Sequence, residues 1–197
     1  MSEPFNVLLV GVGGQGVVLA SDILTTAAML AGRDAKKSEI HGMSQRGGPV
    51  FAHVRFGDVV HSPVIPKGSA DVLLGMERME LLRWAPWAKP DAVAAYVAKD
   101  IVPTGVDAYP DGIDSEVAAR FARVVSFDSK TLRPARVSPK VAGTVLLGAA
   151  SVFLPLPPDV FAPAMEGLVP DGTLEMNKAG FALGRALAET VPEPSHA

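Results

Sequence analysis

The residues best suited to chemistry fall in two glycine-rich stretches of this 197-residue chain. The first, residues 11–16, reads GVGGQG and fits G-x-G-x-x-G. Gly11, Gly13, Gly14, Gln15 and Gly16 are its candidates for holding an anion such as a phosphate. A glycine turn that opens a helix aims free backbone N–H groups at whatever occupies its mouth. The same glycines are equally compatible with tight helix–strand packing and no ligand. The second stretch, residues 38–49, reads SEIHGMSQRGGP. A polar segment this dense belongs in water, in a ligand site or in an interface, because burying it unpaired is costly. His41, Ser44, Gln45, Arg46, Gly47 and Gly48 form this candidate ligand or interface loop. Arg46 is its sharpest member, since a guanidinium keeps its charge and its planar fork matches a carboxylate or phosphate. A plain glycine-rich connection between two strands is the alternative.

What these stretches lack is equally informative. A dinucleotide site needs an acid at the end of the second strand to hold a ribose. That end reads Glu39-Ile40-His41-Gly42, and Asp34 comes too early. A self-sufficient NAD(P)-dependent oxidoreductase therefore has half of its signature. No His/Asp/Glu spacing resembles a helical metal site, and no G-x-S-x-G elbow occurs. Ser44 near His41 is not a catalytic pair on sequence proximity alone. The chain has no cysteine, which excludes disulfides, a thiol nucleophile and cysteine ligation of zinc or an iron–sulfur cluster.

The net charge is −3, but residues 33–67 carry +3 and three of the four histidines, leaving −6 elsewhere. A local positive patch on an acidic protein suits an anionic ligand or an acidic partner face, and neither nucleic acid nor a membrane surface. No apolar stretch reaches the roughly 20 residues of a bilayer-spanning helix. The start lacks a signal-peptide pattern, so a cytoplasmic location is expected.

The elements that must position the two stretches follow from periodicity. Residues 5–10 form an apolar run ending in glycine, a strand buried on both faces. Ala20, Leu24, Ala27, Ala28 and Ala31 recur at helical spacing until Gly32. Residues 34–40 make a second strand that delivers the polar loop at its C-terminal end. In residues 50–56, Val50, Ala52, Val54 and Phe56 alternate against Phe51, His53 and Arg55. Gly57-Asp58 reads as a hairpin turn, with residues 59–65 returning antiparallel. Strands are expected over 70–74, 92–97 and 124–128, and helices over 77–87, 115–123, 138–154, 160–166 and 174–189. Ser138-Pro139 supplies a cap and a first-turn proline. In the last helix Met176, Gly180, Leu183 and Leu187 share a face. The predicted fold class is α/β: a Rossmann-like three-layer α/β/α sandwich with a mixed, mostly parallel sheet. It forms one domain over residues 1–190, with residues 191–197 as a flexible tail.

GVGGQG, then SEIHGMSQRGGPVFAHVR, then SPVIPKGSADVLLG resembles the gamma-type domain of the 2-oxoacid:ferredoxin oxidoreductases. SEIHGMSQRGG is most like the small (beta) subunit of indolepyruvate ferredoxin oxidoreductase. The resemblance implies a subunit, inactive alone, of an enzyme that oxidatively decarboxylates a 2-oxoacid with coenzyme A. The products are an acyl-CoA, CO2 and reduced ferredoxin or a similar acceptor. It also implies that thiamine diphosphate and the iron–sulfur clusters sit on a large partner subunit, with no cofactor on this chain alone. Ala94-Ala95-Tyr96 stands where relatives often have asparagine, so an arylglyoxylate or branched-chain oxoacid also fits. A non-catalytic adaptor, whose polar loop is purely an interface, is the remaining reading.

Overall fold

The computed structural model describes residues 3–41, 48–102, 105 and 107–191. Among them a six-stranded sheet runs in the order β2-β3-β1-β4-β5-β6. The strands are β1 (Phe5–Val12), β2 (Asp34–His41), β3 (Pro49–Gly57), β4 (Ala70–Gly75), β5 (Ala88–Val97) and β6 (Arg123–Phe127). The helices are α1 (Val17–Leu30), α2 (Arg78–Trp84), α3 (Ile113–Arg120), α4 (Ser129–Leu132), α5 (Ala142–Ser151), α6 (Phe161–Met165) and α7 (Leu174–Glu189).

The period-2 geometry of the central strands divides the core into two layers. Val7 and Leu9 of β1, with Val72 and Leu74 of β4, pack against Ile23 and Leu24 of α1, Leu146 of α5 and Phe161 of α6. Leu8, Val10 and Leu73 point the other way, against Leu81 of α2 and Val117 of α3. A strand covered on both sides reads as an unbroken apolar run, which is why residues 5–10 show no alternation.

β1, β4, β5 and β6 are mutually parallel. β3 runs antiparallel to both β1 and β2. The expected mixed sheet is present, but not through the expected hairpin. Residues 59–65 form no strand. Both edges of β3 are already paired, so no ladder remains for a returning strand to join. Instead this segment crosses the sheet as a strap. The Val60 N–H donates to Asp34 Oδ2 at 2.7 Å, Arg55 Nη1 donates to the Ser62 and Val64 carbonyls, and the Ile65 N–H donates to His53 Nδ1 at 3.2 Å. Val60 and Ile65 are buried by it while Val59 and Val64 stay exposed.

The face of α7 also differs from expectation. Its buried residues are Asn177, Gly180, Phe181, Gly184 and Ala188, whereas Met176 is exposed. Glycine decides the matter. A Cβ at Gly184 would overlap the Val145 carbonyl oxygen, and one at Gly148 would overlap the Phe181 carbonyl oxygen. α5 and α7 touch backbone to backbone, which turns the small residues inward. Thr144 Oγ1 donates to Asn177 Oδ1 across the seam at 3.0 Å.

Candidate functional site

β1 feeds α1 on one face of the sheet, and β4 feeds α2 on the other. The chain therefore departs in opposite directions from two adjacent parallel strands. That is a topological switch point, and ligands of open α/β sheets collect in the crevice beyond its strand ends. A cavity of about 350 Å³ lies there. Gly14 and Gln15 line it from the first glycine loop, Met76 from the end of β4, and Val97, Ala98 and Lys99 from the end of β5. Ser129 and Leu132 of α4 and Pro139, Lys140 and Ala142 close the far side.

The glycine loop is held from within. Gly16 has φ 86°, the left-handed geometry that glycine adopts without strain, and turns the chain into α1. Gln15 Oε1 accepts from the Val12 N–H at 2.6 Å, and Gln15 Nε2 donates to the Met76 carbonyl at 3.2 Å. Gln15 thus fills the turn and ties it to the end of β4. A Cβ at Gly11 would lie 2.7 Å from Gln15 Oε1 and 2.9 Å from Met76 Cβ, so only glycine fits beside the tucked amide. Gly14 remains at the cavity wall, next to the open first turn of α1.

The two sequence stretches meet here. The Gly13 N–H donates to the Gly48 carbonyl at 3.0 Å, and Pro49 stands opposite Val12 in the β1–β3 ladder. At the other end His41 pairs with Val50 through the backbone. The chain therefore leaves the sheet at His41, at the end of β2, and rejoins it at Gly48, beside Gly13. Ser44, Gln45, Arg46 and Gly47 themselves lie outside the described residues.

Lysine supplies the charge. Lys99, just past β5, and Lys140, just before α5, both line the cavity, and neither forms an ion pair among the described residues. At the start of α4, Asp128 Oδ1 accepts from the Lys130 and Thr131 N–H groups, both at 2.8 Å. Those bonds, led by the one from the Thr131 backbone, hold its carboxyl below the usual range and fix α4, placing Ser129. Sequence reading missed Lys99, Lys140 and Ser129. A signal existed: Lys99 lies just past the C-terminal end of the predicted strand over 92–97, and Lys140 in the first turn after Ser138-Pro139.

The sheet order bears on the dinucleotide reading. In that fold the acid-bearing second strand neighbours the first. Here β3 stands between β1 and β2, so the end of β2 is one strand removed from the glycine loop. Glu39 instead pairs with Lys37 at 3.0 Å. Among the described residues no group of three His, Asp or Glu could hold a metal ion, and no helix is long and apolar enough to cross a membrane.

The pyruvate ferredoxin/flavodoxin oxidoreductase family matches residues 6–187. The chain belongs to that family. Two relatives are named indolepyruvate oxidoreductase subunit IorB, from Thermococcus kodakarensis and Pyrococcus horikoshii. Each is 34% identical over 191 residues, covering 92% of this chain and 95% of the relative. Among solved structures, the 2-oxoglutarate:ferredoxin oxidoreductase of Magnetococcus marinus, with 2-oxoglutarate, coenzyme A and succinyl-CoA bound, shares the fold at a TM-score of 0.72 and 19% identity. It covers 99% of this chain, which corresponds to 32% of that longer one. The family member described here is a small subunit of a 2-oxoacid ferredoxin oxidoreductase complex.

Proposed function

We propose that this chain is the small subunit of an indolepyruvate-type oxidoreductase and that it presents coenzyme A to a reaction centre on its large partner. The observation that carries this reading is the cavity at the switch point, lined by Gly14 and Gln15 of the glycine loop and by Lys99 and Lys140. The cavity lining combines apolar Met76, Val97, Leu132 and Pro139 with cationic Lys99 and Lys140. A flat apolar body carrying phosphates matches that division, and the adenosine phosphate end of coenzyme A is such a body. Lys99 and Lys140 hold phosphate oxygens, and Ser129 adds a hydroxyl donor. The chemistry of Arg46, helped by His41 and Gln45, gives it the remaining role of holding the coenzyme A phosphates or a carboxylate.

The large subunit carries thiamine diphosphate and the iron–sulfur clusters in this reading. Thiamine stabilises the carbanion left by decarboxylation, and the clusters carry electrons to ferredoxin. This cysteine-free chain orients the acceptor thiol through its nucleotide end and excludes water around it. The complex works in the cytoplasm. The test is steady-state kinetics of the assembled complex. Lys99→Ala and Lys140→Ala should each raise the KM for coenzyme A by about tenfold, the loss of one charge-assisted hydrogen bond. Unchanged KM in both variants would move coenzyme A off this chain.

A further inference from the structure

β2 is the outermost strand of the sheet, and the cavity described above does not use it. Among the described residues, no strand pairs with its second edge. Its ladder to β3 runs unbroken from Asp34 opposite Gly57 to His41 opposite Val50, with no bulge. Residues 34–41 contain no proline and no glycine. Residues 34–39 are all partly exposed, and Ile40 is 50% exposed. A long, regular edge of this kind is a template for another strand unless charge or shape repels it. The opposite edge of the sheet, β6, has only five residues.

The charges on β2 decide which strand it accepts. Lysines on an edge ordinarily repel a second chain. Here Lys37 has Glu39 two positions on, and both share the face towards α1: Lys37 Nζ lies 2.5 Å from Asp22 Oδ1 and 3.0 Å from Glu39 Oε2. Lys36, Ser38 and Ile40 alternate onto the other face. There Ser38 stands opposite His53 and Ile40 opposite Phe51 in the ladder.

Two copies of one strand pair antiparallel about a two-fold axis perpendicular to the sheet. Such an axis keeps each face on its own side, so it passes beside a residue that then faces its own copy. An axis at Lys36, Lys37 or Glu39 sets like charges opposite each other. An axis at Ser38 sets Lys37 opposite Glu39 of the second copy, and Glu39 opposite Lys37 of that copy. On the other face it sets Lys36 opposite Ile40 of the second copy, so the lysine stem covers apolar surface.

We propose that two copies of this chain join edge to edge through β2, antiparallel and centred on Ser38, with reciprocal Lys37–Glu39 ion pairs on the α1 face. The two sheets then continue as one, and the contact carries two small subunits into the same assembly. It does not depend on where coenzyme A binds.

Sedimentation of the full chain over a dilution series should show a reversible dimer in the micromolar range, as a narrow contact gives. Lys37→Glu and Glu39→Lys should each weaken it about tenfold, because the two-fold axis repeats every change in two rungs. The double variant Lys37→Glu/Glu39→Lys restores opposite charges across the axis and should return to within about threefold of wild type. The register is read independently. The chain has no native cysteine, so Ser38→Cys introduces a single thiol that faces its own copy about 5 Å away. Dibromobimane, which bridges only closely facing thiols, should link it to a species of twice the chain's mass, both in the full chain and in the complex co-expressed with the large subunit. Lys36→Cys stands opposite position 40 rather than itself and should stay unlinked, while Lys36→Cys and Ile40→Cys chains mixed together should link. A chain that stays monomeric throughout the series would overturn the proposal. So would linking of Lys36→Cys as efficient as that of Ser38→Cys, or failure of Ser38→Cys chains to link within the complex.

Discussion

Gln15 shows how one side chain can change the meaning of a motif. G-x-G-x-x-G suggests a nest of free N–H groups, yet the Gln15 amide takes the Val12 N–H and bridges to the Met76 carbonyl. What remains for a ligand is Gly14 and the first turn of α1. Gly11→Ala should displace that amide and cost about 1–3 kcal/mol, a small-to-large change in a packed turn, as measured by urea denaturation. The glycine turn was legible because strand, glycines and helix follow one another directly in the sequence. Lys99 and Lys140 were not, since they lie 41 residues apart and only the fold brings them to one rim. Arg46 keeps the expectation its chemistry gives it. Arg46→Lys retains charge but loses the fork, so the complex should still form while turnover falls at least ~10-fold. Full turnover would assign the loop to another role.

At the scale of elements, β3 explains both a success and a failure of sequence reading. Its alternation was legible, and Val50, Ala52, Val54 and Phe56 are indeed the buried side. Its pairing was not, because a period of two says which residues share a face and nothing about which strands lie alongside. With β1 and β2 on its two edges, the segment after it becomes a strap that hangs on His53. Burial, and then the charge of Arg55, lowers the His53 pKa below 6.5. Neutral His53 accepts the Ile65 N–H, and the protonated ring cannot. The unfolded chain binds the proton more readily, so this contribution is complete above pH 6.5 and declines as pH falls from there towards the depressed folded pKa. Denaturation from pH 8 to 5 should show that decline in the wild type and a flatter profile in His53→Gln. The α5–α7 seam offers a second test at this scale. Gly184→Ala drives a methyl into the Val145 carbonyl and lies 2.8 Å from the Ala149 nitrogen. It should cost at least ~3 kcal/mol, because backbone on both helices must separate; a loss under ~1 kcal/mol would mean that the helices slide apart freely.

At the scale of the whole molecule, the architecture was the most legible feature, since alternating strand and helix patterns specify a doubly wound sheet almost by themselves. A chain without cysteine cannot ligate an iron–sulfur cluster through thiolates. The chain is a small subunit of a larger complex, and the central claim is that it completes that complex by holding coenzyme A. The most direct test is 2-oxoacid-dependent reduction of a low-potential acceptor by the large subunit alone, by this chain alone, and by the two co-expressed, with and without coenzyme A. The account predicts no turnover from this chain by itself. It predicts indolepyruvate oxidation that depends on coenzyme A in the co-expressed complex. Full coenzyme A-dependent turnover by the large subunit alone, or NAD(P)-dependent oxidation by this chain alone, would contradict it.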